Sequence, residues 1–271
     1  MYKVILYDEI EEQICNLLVV TDMNDIITIY NNGLEFGIKN RKSVVGRETD
    51  LVHEYIDYRK SIFRTKKDKK MAVFIEPHIG GTYPDIVFVE YDPGKYIKWN
   101  DCRNELEKRD LKILYHIYSM NGIDLEGLVS QLGVTWKEAG LSIEKLFDSE
   151  LIIRKSGEWV LKGDSSVISN NIQAVEAKIG KWEEVLQQSI INKNFATESY
   201  ALIELKNAPS KEMLSKFSRF GVGLCLRKGN EFPMIKRAKR AYTLNSFNAI
   251  LINEWIGRIL YKGDSLAYVY G

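Results

Sequence analysis

Residues 171 to 188 constrain this chain more than any other stretch. Asn171 to Ile179 reads as a short buried strand, yet Glu176 and Lys178 interrupt it two residues apart. Successive strand side chains alternate between faces, so a carboxylate and an ammonium project from the same side. Placing both among Ile172, Ala174, Val175 and Ile179 is costly unless each finds a partner or a metal. Gly180 then ends the run, and Lys181 to Lys193 takes up helical spacing with Trp182, Val185, Leu186 and Ser189 on one stripe. Two readings of the charged pair stand at this point, an ordinary salt bridge on an exposed sheet face or half of a chemical site.

At 271 residues with 45% hydrophobic content, the chain can build one large domain or two modest ones. Cys15, Cys102 and Cys225 are far apart and odd in number, so neither a disulfide framework nor a zinc site is indicated, and a reducing cytoplasm fits. There is no apolar run of bilayer length and no signal-peptide pattern, so no membrane association is expected. Net charge is +1, but the charge is unevenly spread. Residues 59 to 70 carry seven positive side chains, Lys66 and Lys67 among them, against Asp68 alone, and residues 227 to 240 carry six against Glu231. Each cluster is either a solvated face or a phosphate contact.

Along the chain, residues 1 to 45 form a strand-rich segment with a hairpin signal at Asn32-Gly33. A helix is expected from about Gly46 to Ser61, with Glu48 falling inside the apolar stripe of Leu51, Val52 and Tyr55. Glu48 is a first-turn acid favoured by the helix dipole or an acid aimed at a site. Met71 to Glu76 and Pro84 to Tyr91 read as strands, the second opening on Asp85, either a turn aspartate or a carboxylate directed into the sheet. Residues 101 to 163 change character: three helices, the third capped by Thr135, precede a hairpin around Ser156-Gly157. This pattern resembles a winged helix-turn-helix, whose third helix can enter a DNA major groove. Lys137, Arg154 and Lys155 are its candidate DNA contacts, although such modules also serve as protein contacts or spacers. After the central stretch, two strand-helix-strand crossovers run through Tyr200 to Leu205, Ser210 to Phe220 and Val222 to Arg227, and a last helix follows from Ser246.

Pro84-Asp85 at a strand start, Glu176-Ala177-Lys178 inside a later strand and a preceding helix bearing Glu48 resemble the restriction-endonuclease-like family of metal-dependent nucleases, with its Pro-Asp and Asp/Glu-x-Lys motifs. Gly180-Lys181-Trp182, a glutamine on the next helix, Ser199 to Ile203 and Phe220 to Leu224 agree, and the likeness spans about residues 46 to 92 and 171 to 228. The resemblance implies an α/β fold, a mixed central sheet flanked by helices and interrupted by the winged-helix-like insertion. The divisions would be 1–45, 46–100, 101–163 and 164–271, the last completing the nuclease-like domain with the C-terminal helix. It implies a Mg²⁺-dependent endonuclease acting on DNA, with Mn²⁺ able to substitute. Asp85, Glu176 and Glu48 would lie at the metal, Lys178 would position or deprotonate the attacking water, and Gln188 would support the site. Cutting both strands of a duplex would call for a homodimer. The alternative is an inactive nuclease fold that binds DNA or regulates through the winged helix. Ninety positions lie between Asp85 and Glu176, a wider gap than the family's, and it closes only if the intervening residues connect neighbouring strands.

Overall fold

The computed structural model describes residues 3–5, 19–21, 26–29, 34–41, 45–163, 171–241 and 246–269, with backbone alone for 3–5, 19–21, 35 and 263–269. The chain divides into two compact units, one formed by residues 1–92 and 170–244, the other by 93–169 and 245–271. The Asn32-Gly33 hairpin signal lies outside the described residues.

The described residues of the first unit are built on a nine-stranded mixed sheet. Its strands are β1 (Lys3–Ile5), β2 (Val19–Thr21), β3 (Ile27–Ile29), β4 (Lys70–Ile75), β5 (Ile86–Tyr91), then β8 (Asn171–Ile179), β9 (Glu198–Glu204), β10 (Gly223–Arg227) and β11 (Met234–Lys236), side by side in that order. β4, β5 and β8 form an antiparallel meander, with Ile86 opposite Val175 and Glu90 opposite Asn171. β8, β9 and β10 run parallel, and each crossover is a helix, α6 (Trp182–Asn192) and α7 (Lys211–Phe220). The strands of this parallel part read as near-continuous apolar runs because both faces are covered.

One face carries α1 (Arg47–Ile62), whose Leu51, Val52, Tyr55 and Ile56 pack on Met71, Val73, Ile75, Phe88, Val175 and Ala177. Burying each such side chain contributes roughly 1.5–3 kcal/mol. Val185 and Leu186 of α6 and Met213 and Phe217 of α7 cover the other face against Ala201, Ile203 and Leu224. Strand alternation therefore sends Val175 and Ala177 towards α1 and Glu176 towards α6. Gly180, with φ 75°, turns the chain from β8 into α6 through the left-handed region that glycine tolerates.

The second unit contains α2 (Asp101–Asn104), α3 (Lys108–Met120), α4 (Leu125–Leu132), α5 (Trp136–Asp148) and the hairpin β6 (Ile152–Lys155) with β7 (Glu158–Leu161). Thr135 and Glu138 cap α5 reciprocally, and Asn121 closes α3 in the left-handed conformation. Lys137 is exposed in the first turn of α5, and Arg154 and Lys155 are exposed on the hairpin. The final helix, α8 (Phe247–Val269), corrects the expected division: it belongs to this unit and not to the sheet. Its Ile250 joins the core of Leu111, Leu114 and Leu146. Its buried Glu254 takes a two-point ion pair from Arg103 at 2.6 and 3.1 Å, and Asn253 accepts from the Tyr96 hydroxyl at 2.8 Å. Among the described residues no helix is long and apolar enough to cross a membrane.

Candidate active site

The sheet brings Asp85 and Glu176 together. β5 and β8 are hydrogen-bonded neighbours, so the residues between them leave and return at adjacent strand ends. Asp85 sits one residue before β5, and its Oδ2 accepts the Ala177 N–H at 2.7 Å, a bond that continues the ladder with a side chain where the strands part. Glu176 is 3% exposed. Its carboxyl faces that of Asp85 and its Oε1 accepts from Asn192 Nδ2 of α6 at 2.7 Å.

Two mostly buried carboxyls this close suppress each other's ionisation. Burial first, then the charge of Asp85, pushes Glu176 up to about 8. Burial also raises Asp85, against the opposing pull of the Ala177 N–H, Lys178 and Arg41. Lys178 reaches from β8 to the first turn of α1, where its Nζ lies 2.8 Å from Glu48 Oε2. Burial works to lower the Lys178 ammonium, but the Glu48 hydrogen bond and the surrounding negative charge outweigh it, leaving its pKa raised.

Asp85, Lys178 and Glu48 line a cleft of about 490 Å³ together with Glu76, Arg41, Arg47 and His53, and Glu176 lies buried behind it. Arg41 is bound to Glu76 at 2.9 Å and lies 3.7 Å from Asp85; its pKa is raised, chiefly by the Glu76 hydrogen bond. Glu76 takes φ 47° at the end of β4, where its N–H donates to the Asp85 carbonyl and its carbonyl accepts from Arg41 N–H, both at 3.0 Å. These bonds hold a non-glycine residue in the left-handed region directly beside Asp85.

Asp85, Glu176, Lys178 and Glu48 thus converge, but Glu48 has another place than the expected third carboxylate. One of its oxygens is taken by Lys178 and the other receives the Ile179 N–H at 3.4 Å. Gln188 is exposed on α6, and the contact expected of it is made by Asn192, one turn further along. Lys66 and Lys67 lie in the tight turn between α1 and β4, at the end of α1 away from Glu48. A 16-residue helix separates the two ends by about 24 Å. Arg41, Glu76 and Asn192 were not foreseen, and His53, which shows no partner in sequence, lines the cleft.

The donors suit a hard divalent cation. Magnesium ordinarily takes one or two carboxylates and completes its shell with water and substrate phosphate, and a cation between Asp85 and Glu176 would relieve the repulsion that raises Glu176. Asn192 Oδ1, buried and without a hydrogen-bond partner among the described residues, adds an oxygen next to Glu176. Among the described residues no set of three or more His, Cys, Asp or Glu is arranged to hold a metal. No protein-family model, curated protein or solved structure matches the chain.

Proposed function

We propose that this protein is a metal-dependent nuclease that hydrolyses DNA phosphodiester bonds, with the cleft at Asp85, Glu176 and Lys178 as its active site. The observation that carries this reading is the meeting of Asp85 with Glu176 across β5 and β8, with Lys178 at the same strand end, in spite of ninety intervening positions. The wide gap between the motifs is supported as an insertion between neighbouring strands, which is the condition the family resemblance needed.

Asp85 and Glu176 would hold Mg²⁺, which when bound lowers the pKa of a water and offsets charge on the phosphate. Water attacks phosphorus and gives up a proton to bulk solvent, the bond to the leaving oxygen breaks, and that oxygen takes a proton from solvent. Lys178, with a raised pKa, is an ammonium at neutral pH, so it stabilises negative charge on the phosphate and does not act as a base. Glu48 is a positioning residue that fixes this ammonium. Arg41, half exposed beside Asp85, supplies a second cation at the cleft mouth.

Incubation of supercoiled plasmid and branched DNA with Mg²⁺ tests the proposal. Cleavage by the wild type and its loss in Lys178→Ala and Asp85→Asn are expected. Inactivity of the wild type on every DNA form with Mg²⁺ or Mn²⁺ would overturn it.

A further inference from the structure

A second cleft opens at the same sheet end. The segments that follow β9 and β10 enclose about 550 Å³, lined by Glu204, Lys206, Asn207, Arg227, Lys228 and Asn230. Strand register fixes its place, because Ile179, Glu204 and Arg227 form one row across the ends of β8, β9 and β10. With neighbouring strands ~4.8 Å apart, β10 lies about 10 Å from the strand that carries Lys178.

The wall between the clefts is a chain of ion pairs. Arg47, which lines the first cleft, meets Glu204 at 2.9 Å; Glu204 meets Arg227 at 3.0 Å, and Arg227 meets Glu54 at 2.7 Å. The acids of this wall are thereby matched to arginines. Lys206 and Lys228 are exposed and have no side-chain partner among the described residues. Residues 205–210 contain no acid, and Glu231, exposed in the turn after β10, is the one acid between 228 and 233. α6 and α7 start from this sheet end, and the first turn of α1 holds Lys178 there, so three helices direct the positive ends of their dipoles to it.

We propose that the second cleft binds the phosphodiester backbone of the strand occupying the first, on one side of the reacting phosphate, with Lys206 and Lys228 as charge contacts and Asn207 and Asn230 as hydrogen-bond donors. This deepens the nuclease reading and rests on it. At ~3.4 Å per nucleotide the separation corresponds to about three nucleotides. Point charges on flexible stems follow a backbone without reading bases, so the contact is indifferent to sequence.

The test pairs binding with cleavage. Binding of a labelled 30-nucleotide DNA, single-stranded and duplex, is titrated over a range of salt without divalent metal. Hydrolysis is measured with Mg²⁺ on the same DNA and on bis(p-nitrophenyl) phosphate. For Lys206→Ala/Lys228→Ala we expect a several-fold loss of affinity, a salt dependence shallower by about two, a raised KM on DNA with kcat retained, and unchanged hydrolysis of the small diester. Unchanged affinity and salt slope in that variant would overturn the second cleft even if DNA is cleaved. DNA binding that depends on both lysines in a protein without hydrolytic activity would sink the nuclease reading and keep the backbone site. Binding competed by polyglutamate in a protein that fails to bind DNA would assign the cleft to an acidic protein partner and overturn the proposal.

Discussion

The two ends of the sheet in the first unit carry opposite chemistry. Where β8, β9 and β10 finish, helices begin and acids gather: Asp85, Glu176, Glu76 and Glu48, answered by a backbone N–H, the Asn192 amide, Arg41 and Lys178 in turn. At the other end the helices finish and the basic run of residues 59 to 70 lies. There Arg59 stacks on Phe88, 4.5 Å from the ring centre, and donates to Gln173 at 2.7 Å; Lys69 pairs with Glu90 at 2.8 Å; Lys193 donates to the Phe220 carbonyl closing α7 at 2.6 Å. Cations at helix C-termini complement the dipole and the unsatisfied carbonyls. The difference teaches that conspicuous charge in the sequence, as at Arg59 and Lys69, can be engaged in structure, while the buried acids that meet at the opposite end come from dispersed positions.

The strongest test of this contrast is catalytic. Asp85→Asn, Glu176→Gln or Lys178→Ala should lower metal-dependent cleavage by about 10²–10⁴-fold, whereas Lys66→Ser/Lys67→Ser should leave kcat on a short DNA near wild type. Equal losses from both ends would erase the distinction. Next in size is a stability effect with a defined sign. Glu176 has a folded pKa raised to about 8 from 4.5. Its contribution is therefore fully present below about pH 4.5 and is lost as pH rises through about 8. Metal-free protein should lose on the order of a few kcal/mol across that window. Calorimetry in EDTA should show the decline, its absence in Glu176→Gln, and its partial reversal by Mg²⁺.

Smaller again is the difference between two positions on α6. Asn192→Ala removes the donor to buried Glu176 and should cost about 1–3 kcal/mol in urea unfolding, while Gln188→Ala, at an exposed position, should stay within about 0.5 kcal/mol. The reverse order would mean that α6 meets the sheet in another register. Last, Glu48→Gln should retain the fold and weaken the hold on Lys178, lowering kcat several-fold with little change in KM.

That helix shows what sequence carries and what it leaves out. Period and stripe place Val185, Leu186 and Ser189 against the sheet, and they are buried there. Azimuth on a helix says nothing of depth. Asn192 lies ten residues into α6, about 15 Å along its axis, and Glu176 lies four residues below Gly180, about 13 Å along the strand. Matching those depths selects Asn192, whereas the position of Gln188 around the helix alone suggested a neighbour it does not have. Asp85, Glu176 and Lys178 were legible because their charges interrupt apolar strands. Arg41 was not, since it lies outside any periodic element and gains its partners only when the Asn40 to Pro77 bridge brings it beside Glu76. The placement of α8 was equally hidden: its apolar positions fit any core, and the Arg103–Glu254 pairing joins residues 151 apart in the chain.

Because β5 and β8 are antiparallel neighbours, residues 93 to 169 are in topological terms the loop of a single hairpin. Loop closure grows costlier only slowly with length, by about 0.6 kcal/mol per doubling. The pairing of Ile86 with Val175 is thus compatible with many lengths of intervening chain. The order of synthesis is less forgiving. A growing chain presents Asp85 long before Glu176 exists, and any fragment ending before β8 carries half a site. The Asp85–Glu176 pair is withheld until most of the polypeptide has been made, an inbuilt delay that follows from connectivity alone.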